Sequence, residues 1–484
     1  MSGDSIIYDT ENSSLNRKFG QITQYGGIRV TCDLQIKEEQ SVDIRLLPWV
    51  VPSPGACRVT KVGPEELTRN DRISEFSAAK KIYKFMEAAY GQPTTFITYN
   101  GLEHDDIFLR ELFFRNLHDP WFTSGASKTR IDLFPLVQLI HAVDKDALVI
   151  PTNDDGKPSY KLDRVAPANG IEIKAHDGLG DAHGCLDLIK IILKRAPWAW
   201  DLAQINGRTA NAANSIQKSI ADVKPLWLFT HFGEPEFLPV FPLALSGRDS
   251  HFCVDLRRKD YREIFDANKD KLLFKGSCFH RVEPKRLPII VNEDLLRMAG
   301  VEFDAYDLLE RAEAISQDRE FKEALAAAVS EQNFPKVENE QSEDRMFPFM
   351  TNAAKAEMRR FVDAPTWEER LKCRFTDTRN RDFAARIILD AHLHGDAEVP
   401  EKLLEQVRDI CQPIMDRPFD GTKARWVTLS HAMAEEPDQS WIDWALDYYG
   451  SDPRLTGEPV AEDDADNKVA AAEPEDAPQL AFTF

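Results

Sequence analysis

Ser5-Ile6-Ile7-Tyr8-Asp9-Thr10-Glu11 sets an apolar run ahead of two acids spaced two apart. Isoleucine and tyrosine favour a strand. Strand side chains alternate, so Asp9 and Glu11 leave its end on the same face and can share a cation. Working outward, 20–32 (GQITQYGGIRVTC) and 41–47 (SVDIRLL) read as further strands, close enough to pair as a meander. Helical patterns then alternate with a strand. Residues 75–90 predict an amphipathic helix, TTFITY at 94–99 a strand, and 104–116 and 132–143 two more helices. The stretch HDGLGDAHGCLDLIKIILKRA at 176–196 starts polar and becomes apolar at helical spacing. Three strands followed by alternating helix and strand predict an α/β sheet with helices packed on it.

Beyond about residue 200 the texture changes. LWLFTHF (226–232), LPVFPLAL (238–245) and HFCVDL (251–256), broken by Gly and Pro, predict short strands of a small β-rich domain. From about 303 onward the pattern is helical, ending in SWIDWALDYYG with Gly450 as a C-cap glycine. The domain limits read from this are 1–200, 201–350 and 351–450. Residues 451–484 form an acidic tail too poor in apolar residues to fold.

A chain of 484 residues needs more than one core. No apolar run reaches the roughly 18 residues of a membrane span, and MSGDSIIYD lacks a basic start and an apolar core, which predicts a cytoplasmic protein with no membrane partner. Seven scattered cysteines, odd in number and without a C-x-x-C pair, predict free thiols and argue against a zinc site. His392 and His394, two apart in a helical pattern, face different directions and cannot chelate together. A net charge of −21 argues against nucleic acid as a partner for the whole surface. However, the tail holds nine acids against two basic residues, a third of the excess, and a local basic groove suffices for a strand.

The Asp-x-Glu spacing alone does not decide a site, since Asp396-Ala397-Glu398 repeats it. Asp105 and Asp181 each open a helix, where an acid also complements the helix dipole. The order Asp9-x-Glu11, Asp105, Asp181, with His176 five residues before the last acid, is less easily dismissed. This constellation resembles the DEDD exonuclease superfamily in its histidine-bearing branch. The resemblance implies a ribonuclease-H-like exonuclease domain whose four carboxylates hold two Mg²⁺ or Mn²⁺ ions, with His176 as general base. Hard oxygen ligands suit such ions.

Residues 153–172 (NDDGKPSYKLDRVAPANGIE), with Pro54-Gly55-Ala56, Tyr99-Asn100, Arg115-Asn116, Asp119-Pro120, Asp132-Leu133 and His176-Asp177, narrow the resemblance to the exonuclease I family. That family implies a small β-rich Src-homology-3-like barrel domain and an α-helical domain, together forming a clamp around single-stranded DNA. It also implies 3′→5′ hydrolysis to 5′-mononucleotides in repair or recombination, a monomer, and binding of the single-stranded DNA-binding protein's C-terminal tip. Thr10, Leu15, Asn100, Lys161, Arg379 and Arg381 are the strand contacts it suggests. Arg257, Arg258, Lys259, Arg281, Lys285, Arg286, Arg374 and Arg386 are further candidates for the basic lining. Ser14 departs from the family, which has a glycine there, and this bears on the loop carrying Leu15. Separately, Gln479-Leu480-Ala481-Phe482-Thr483-Phe484 resembles the peptide by which bacterial repair enzymes dock on the sliding clamp, through Gln479, Leu480, Phe482 and Phe484. Two other functions fit the same residues. One is this chemistry on RNA, and the other is a non-catalytic protein that tethers single strands near the clamp.

Overall fold

The computed structural model describes residues 3–450 except 88–93, 126–127, 174–176, 231–233, 244–249, 275 and 332–339. Its first sheet has five strands, β1 (Ser5–Asn12), β2 (Ile22–Val30), β3 (Ile36–Asp43), β4 (Thr94–Thr98) and β5 (Lys128–Asp132), in the order β3-β2-β1-β4-β5. β1 pairs antiparallel with β2 and parallel with β4, so the strand that opens the chain lies at the centre of a mixed sheet. Ile6, Ile7 and Tyr8 are all buried, one on each side in turn, because helices cover both faces. One face packs the helices Glu75–Glu87 and Asp105–Arg115 over Ile6, Tyr8 and Phe96. The other packs Leu133–Val143 and Gly178–Arg195 over Ile7, Ile28 and Ile97.

Two strands of this sheet differ from expectation. The third was expected at 41–47 and lies at Ile36–Asp43, where most side chains are exposed. It is an edge strand held by its backbone ladder to β2, so its sequence, Lys37-Glu38-Glu39-Gln40, shows no apolar face to read. The apolar stretch after it turns inward instead. Ile44 N donates to Thr23 O at 2.9 Å, and Leu46 N donates to Leu67 O at 2.8 Å. β5, short and rich in polar residues, was not anticipated. It completes the sheet parallel to β4.

A second, antiparallel sheet is built from β6 (Leu226–Thr230), β7 (Glu236–Leu243), β8 (His251–Asp255), β9 (Phe279–Val282) and β10 (Ile289–Val291), in the order β10-β6-β7-β8-β9. Its core takes in the helices Ala305–Gln317 and Arg319–Glu331, and it reaches Leu139 of the first unit. The helical part docks on the first unit through two shared cores, one with Asn352–Asp363, Thr378–Leu393 and Glu401–Met415, the other with Gln439–Tyr449 against Val51. Phe114 meets Phe383 edge-on at 4.9 Å between ring centroids, and Phe76 meets Phe361 at 5.7 Å. Gly450 ends the last helix with φ 82°, as its position predicts. No helix among the described residues is long and apolar enough to cross a membrane.

Candidate active site

β1 carries Asp9 and Glu11 to the end of the sheet, and the N-terminal turn of Gly178–Arg195 brings Asp181 to meet them. One ligand oxygen from each of the three lies within 4.8 Å of the others. Two glycines permit this approach. A Cβ on Gly26, which pairs with Asp9 across β1 and β2, would sit 2.0 Å from the Gly178 carbonyl carbon and the Leu179 nitrogen. A Cβ on Gly178 would sit 2.9 Å from Gly26 N. Gly178 N also donates to Gln24 Oε1 at 2.9 Å, which pins the helix start to β2.

Asp105 enters from the opposite side of the sheet, at the start of its helix. It lies beside that close triple, near enough for its charge to act on Asp9, with Oδ1 accepting a 2.6 Å hydrogen bond from Thr10 Oγ1. A Cβ on Gly101 would lie 2.5 Å from Asp105 Oδ2, so the glycine leaves that oxygen its space. Asn12 Nδ2 donates to Thr10 Oγ1 at 3.1 Å and lies 3.4 Å from His104 Nε2, which extends the polar network behind the acids. The loop leading to Asp105 is held by Asp132. Its carboxylate accepts from Asn100 N at 2.6 Å and from Leu102 N at 3.2 Å, and it caps the following helix through Phe134 N at 3.0 Å. Asn100 sits at φ 59°, a left-handed conformation that asparagine tolerates better than most residues.

The neighbouring Asp106 shows what an acid in a structural role looks like here. It is buried, and it accepts from Thr123 Oγ1 at 2.7 Å and pairs with Arg110 at 2.9 Å and Arg130 at 3.2 Å. Asp9, Glu11 and Asp105 are shaped instead by burial and by one another's charge. Burial, then the charges of Asp105, Asp181 and Glu11, raises the Asp9 carboxyl well above the ordinary range. Burial, then Asp181 and Asp177, pushes Glu11 up to about 7. Burial also takes Asp105 to about 7, against the opposing hydrogen bond from Thr10. Crowded carboxylates that repel one another fit a divalent cation, which would supply the missing positive charge.

The remaining predicted residues have varied placements. Thr10 is buried behind Asp105, whereas Leu15 is 86% exposed on the loop after β1. Lys161 is exposed at the start of Leu162–Ala168. Arg379 is turned inward. Its guanidinium binds Asp377 and donates to the carbonyls of Arg345 and Pro348 at 2.5 and 2.8 Å, so it holds that segment and is not open to a strand. Arg386 is likewise engaged, with Glu343 at 2.7 Å. Arg381 is half-buried and Arg374 exposed. Arg257, Arg258, Arg281 and Arg286 each pair with a nearby acid while remaining partly exposed. His176 and the tail residues Gln479, Leu480, Phe482 and Phe484 lie outside the described residues. Sequence reasoning missed the supporting roles of Asn12, His104 and Asp132. For Asp132 a signal existed, an acid placed just before an apolar helical run.

No protein-family model matches the chain. The chain is 31% identical over 196 residues to exodeoxyribonuclease I of Haemophilus influenzae, a match covering 40% of each protein. It is 28% identical over 199 residues to the Escherichia coli enzyme of the same name, covering 40% of this chain and 41% of that one. The sequence match thus spans about two fifths of the length of these relatives. A longer match, 25% identical over 348 residues, covers 68% of this chain and 82% of exodeoxyribonuclease I of Buchnera aphidicola subsp. Acyrthosiphon pisum. In structure, the chain superposes on E. coli exonuclease I in complex with a dA16 oligonucleotide with a TM-score of 0.73 at 20% identity, over 94% of this chain and 97% of that one. A structure of SSB/exonuclease I with the inhibitor CFAM matches with a TM-score of 0.68 at 19% identity, over the same shares of the two chains. In sequence over two fifths of its length, and in fold over nearly all of it, the chain is similar to bacterial exonuclease I.

Proposed function

We propose that the chain is a 3′→5′ exodeoxyribonuclease that degrades single-stranded DNA to 5′-mononucleotides. The observation that carries this reading is the gathering of Asp9, Glu11 and Asp181, with Asp105 beside them, at the end of the central strand. These four would hold two Mg²⁺ or Mn²⁺ ions. Such ions, when bound, supply charge that activates a water and stabilises the leaving 3′-oxygen. The chain's own residues prepare for this. Thr10 holds one oxygen of Asp105, and Gly101 leaves room for the other. Gly26 and Gly178 allow the helix carrying Asp181 to reach β1. His176, five residues before Asp181, takes the proton from the attacking water, a role suited to a side chain that titrates near neutrality.

The test is Mg²⁺-dependent digestion of matched single-stranded DNA, duplex DNA and single-stranded RNA labelled at either end, with Asp9→Ala and His176→Ala alongside. Mononucleotides should leave the 3′ end of single-stranded DNA. Asp9→Ala should abolish this, and His176→Ala should slow it by about 10²–10⁴-fold. A preference for RNA would overturn the substrate. Hydrolysis of no strand would favour the tethering function. The same reading makes the chain a cytoplasmic monomer acting in repair or recombination, divided at about residues 200, 350 and 450. Gel filtration with light scattering would expose a dimer, and limited proteolysis would show cuts elsewhere if those limits are wrong. Two partners follow. These are the C-terminal tip of single-stranded DNA-binding protein, and the sliding clamp through Gln479, Leu480, Phe482 and Phe484. Pull-downs with each partner, using the full chain and a chain ending at 478, test both, since only clamp capture should be lost on truncation.

A further inference from the structure

Asp105 comes to the other acids from a helix on the opposite side of the sheet, and its carboxylate hangs on a soft bond, since the last torsion of an aspartate has broad wells. A hydrogen bond therefore has to fix it. The donor is Thr10 Oγ1, 2.6 Å from Asp105 Oδ1, and both residues are buried. A threonine hydroxyl carries one proton, which rotates, and two lone pairs that accept. Something must point that proton at Asp105.

Asn12 is placed to do so. It follows Thr10 by two residues on β1 and is buried with it. Its Nδ2 lies 3.2 Å from Thr10 O, 3.1 Å from Thr10 Oγ1 and 3.4 Å from His104 Nε2. The two ends of an amide are told apart by their partners. A backbone carbonyl accepts and never donates, so the amide atom beside Thr10 O is the nitrogen. The same nitrogen donates to the Thr10 hydroxyl, fills a lone pair there and turns the hydroxyl proton away from itself, toward the carboxylate. Asn12 Oδ1, 3.4 Å from the hydroxyl, does not compete with a charged oxygen at 2.6 Å. We infer that Asn12 is a positioning residue for the metal site. It sets the direction of the Thr10 hydroxyl, which occupies Asp105 Oδ1 and leaves Oδ2, where Gly101 keeps space, as the oxygen offered to the ion. This rests on the reading of the four acids as metal ligands. Along Asp9-Thr10-Glu11-Asn12, residues that hold the ion then alternate with residues that aim Asp105.

The measurement is Mn²⁺ binding to the full chain without DNA, by titration calorimetry, so that hydrolysis is not read. N12L, close to asparagine in size but without the donor, should weaken Mn²⁺ binding about 10–100-fold, the usual effect of removing a group that orients a metal ligand. T10V should do the same, whereas T10S, which keeps the hydroxyl, should bind as the wild-type chain does. Because Asn12 acts through Thr10, the double variant T10V/N12L should bind no more weakly than T10V alone. A residue that only supported the fold would lower the melting temperature without producing this pattern. N12A, which deletes the same donor with a smaller side chain, carries the test where N12L does not fold. Wild-type affinity in folded N12L or N12A, losses that multiply in the double variant, or a loss in T10S equal to that in T10V would each overturn the inference while the metal reading stands. No Mn²⁺ uptake by the wild-type chain would overturn both.

Discussion

Asp105 and Asp106 are adjacent in sequence, yet arginines neutralise only the second. Asp106 is closed off by Arg110 and Arg130, while Asp105 has the Thr10 hydroxyl as its side-chain partner and is pushed to about 7. Together with Glu11, also at about 7, this sets a pH dependence with a definite sign. A carboxyl whose folded pKa is raised binds its proton more tightly in the folded state, so its contribution to stability is full below about 4.5 and is lost as pH rises through about 7. A divalent cation between the carboxylates restores that loss and competes with protons for the site. The rise in melting temperature on adding Mn²⁺ should therefore be larger at pH 8 than at pH 6. An equal rise at both values would show that these acids do not bind the ion.

At the scale of elements, the geometry of the candidate site depends on how closely one helix approaches one strand. The start of Gly178–Arg195 rests on β2 with no space for a methyl group at Gly26, where an added Cβ would meet backbone atoms of Gly178 and Leu179 at 2.0 Å. Gly26→Ala must displace that helix and with it Asp181. A misplacement of about 1 Å can cost on the order of 10²-fold in rate. Hydrolysis should fall by about that factor while the far-ultraviolet circular dichroism stays that of the folded chain. Near-normal activity would mean that Asp181 does not need this contact. The Gly-Gly pair at 26–27 is visible in the sequence, but its reason lies in a helix far along the chain. β3 and β5 were obscured for a related reason. Edge strands are held by ladder hydrogen bonds, which leave no apolar pattern to read.

At the scale of the whole molecule, an ionic cluster holds the helical part together where it faces the first unit, with Arg417 lying over Phe19 at 5.1 Å. Glu343 pairs with Arg386 at 2.7 Å and with Arg417 at 2.8 Å. Burial alone would raise its carboxyl, but the two guanidinium groups overcome that and hold it well below the usual carboxylate range. Its contribution to stability is therefore present above about 4.5 and is lost as pH falls below that value. Glu343→Gln leaves the buried Arg417 and the partly buried Arg386 without their anion, which costs about 3–5 kcal/mol where a buried pair is broken. The urea midpoint should drop accordingly at pH 7, and the difference from wild type should shrink as the pH is lowered. An unchanged midpoint would mean that the Glu343 cluster does not contribute to stability.

The order of residues along the chain determined the α/β core, the β-rich and helical segments that follow it, and the identity of the candidate acids. These depend on local periodicity and on residue types at short spacing, which survive in one dimension. Tertiary structure alone decided which groups compensate one another. Arg379 and Arg386, predicted to face a strand, are consumed by Asp377, Glu343 and backbone carbonyls. Asp106 became structural beside Asp105, and Thr10, Asn12 and Asp132 became the frame of the site. The energy of a charge or a polar group depends on what surrounds it in space, and those neighbours are distant in sequence.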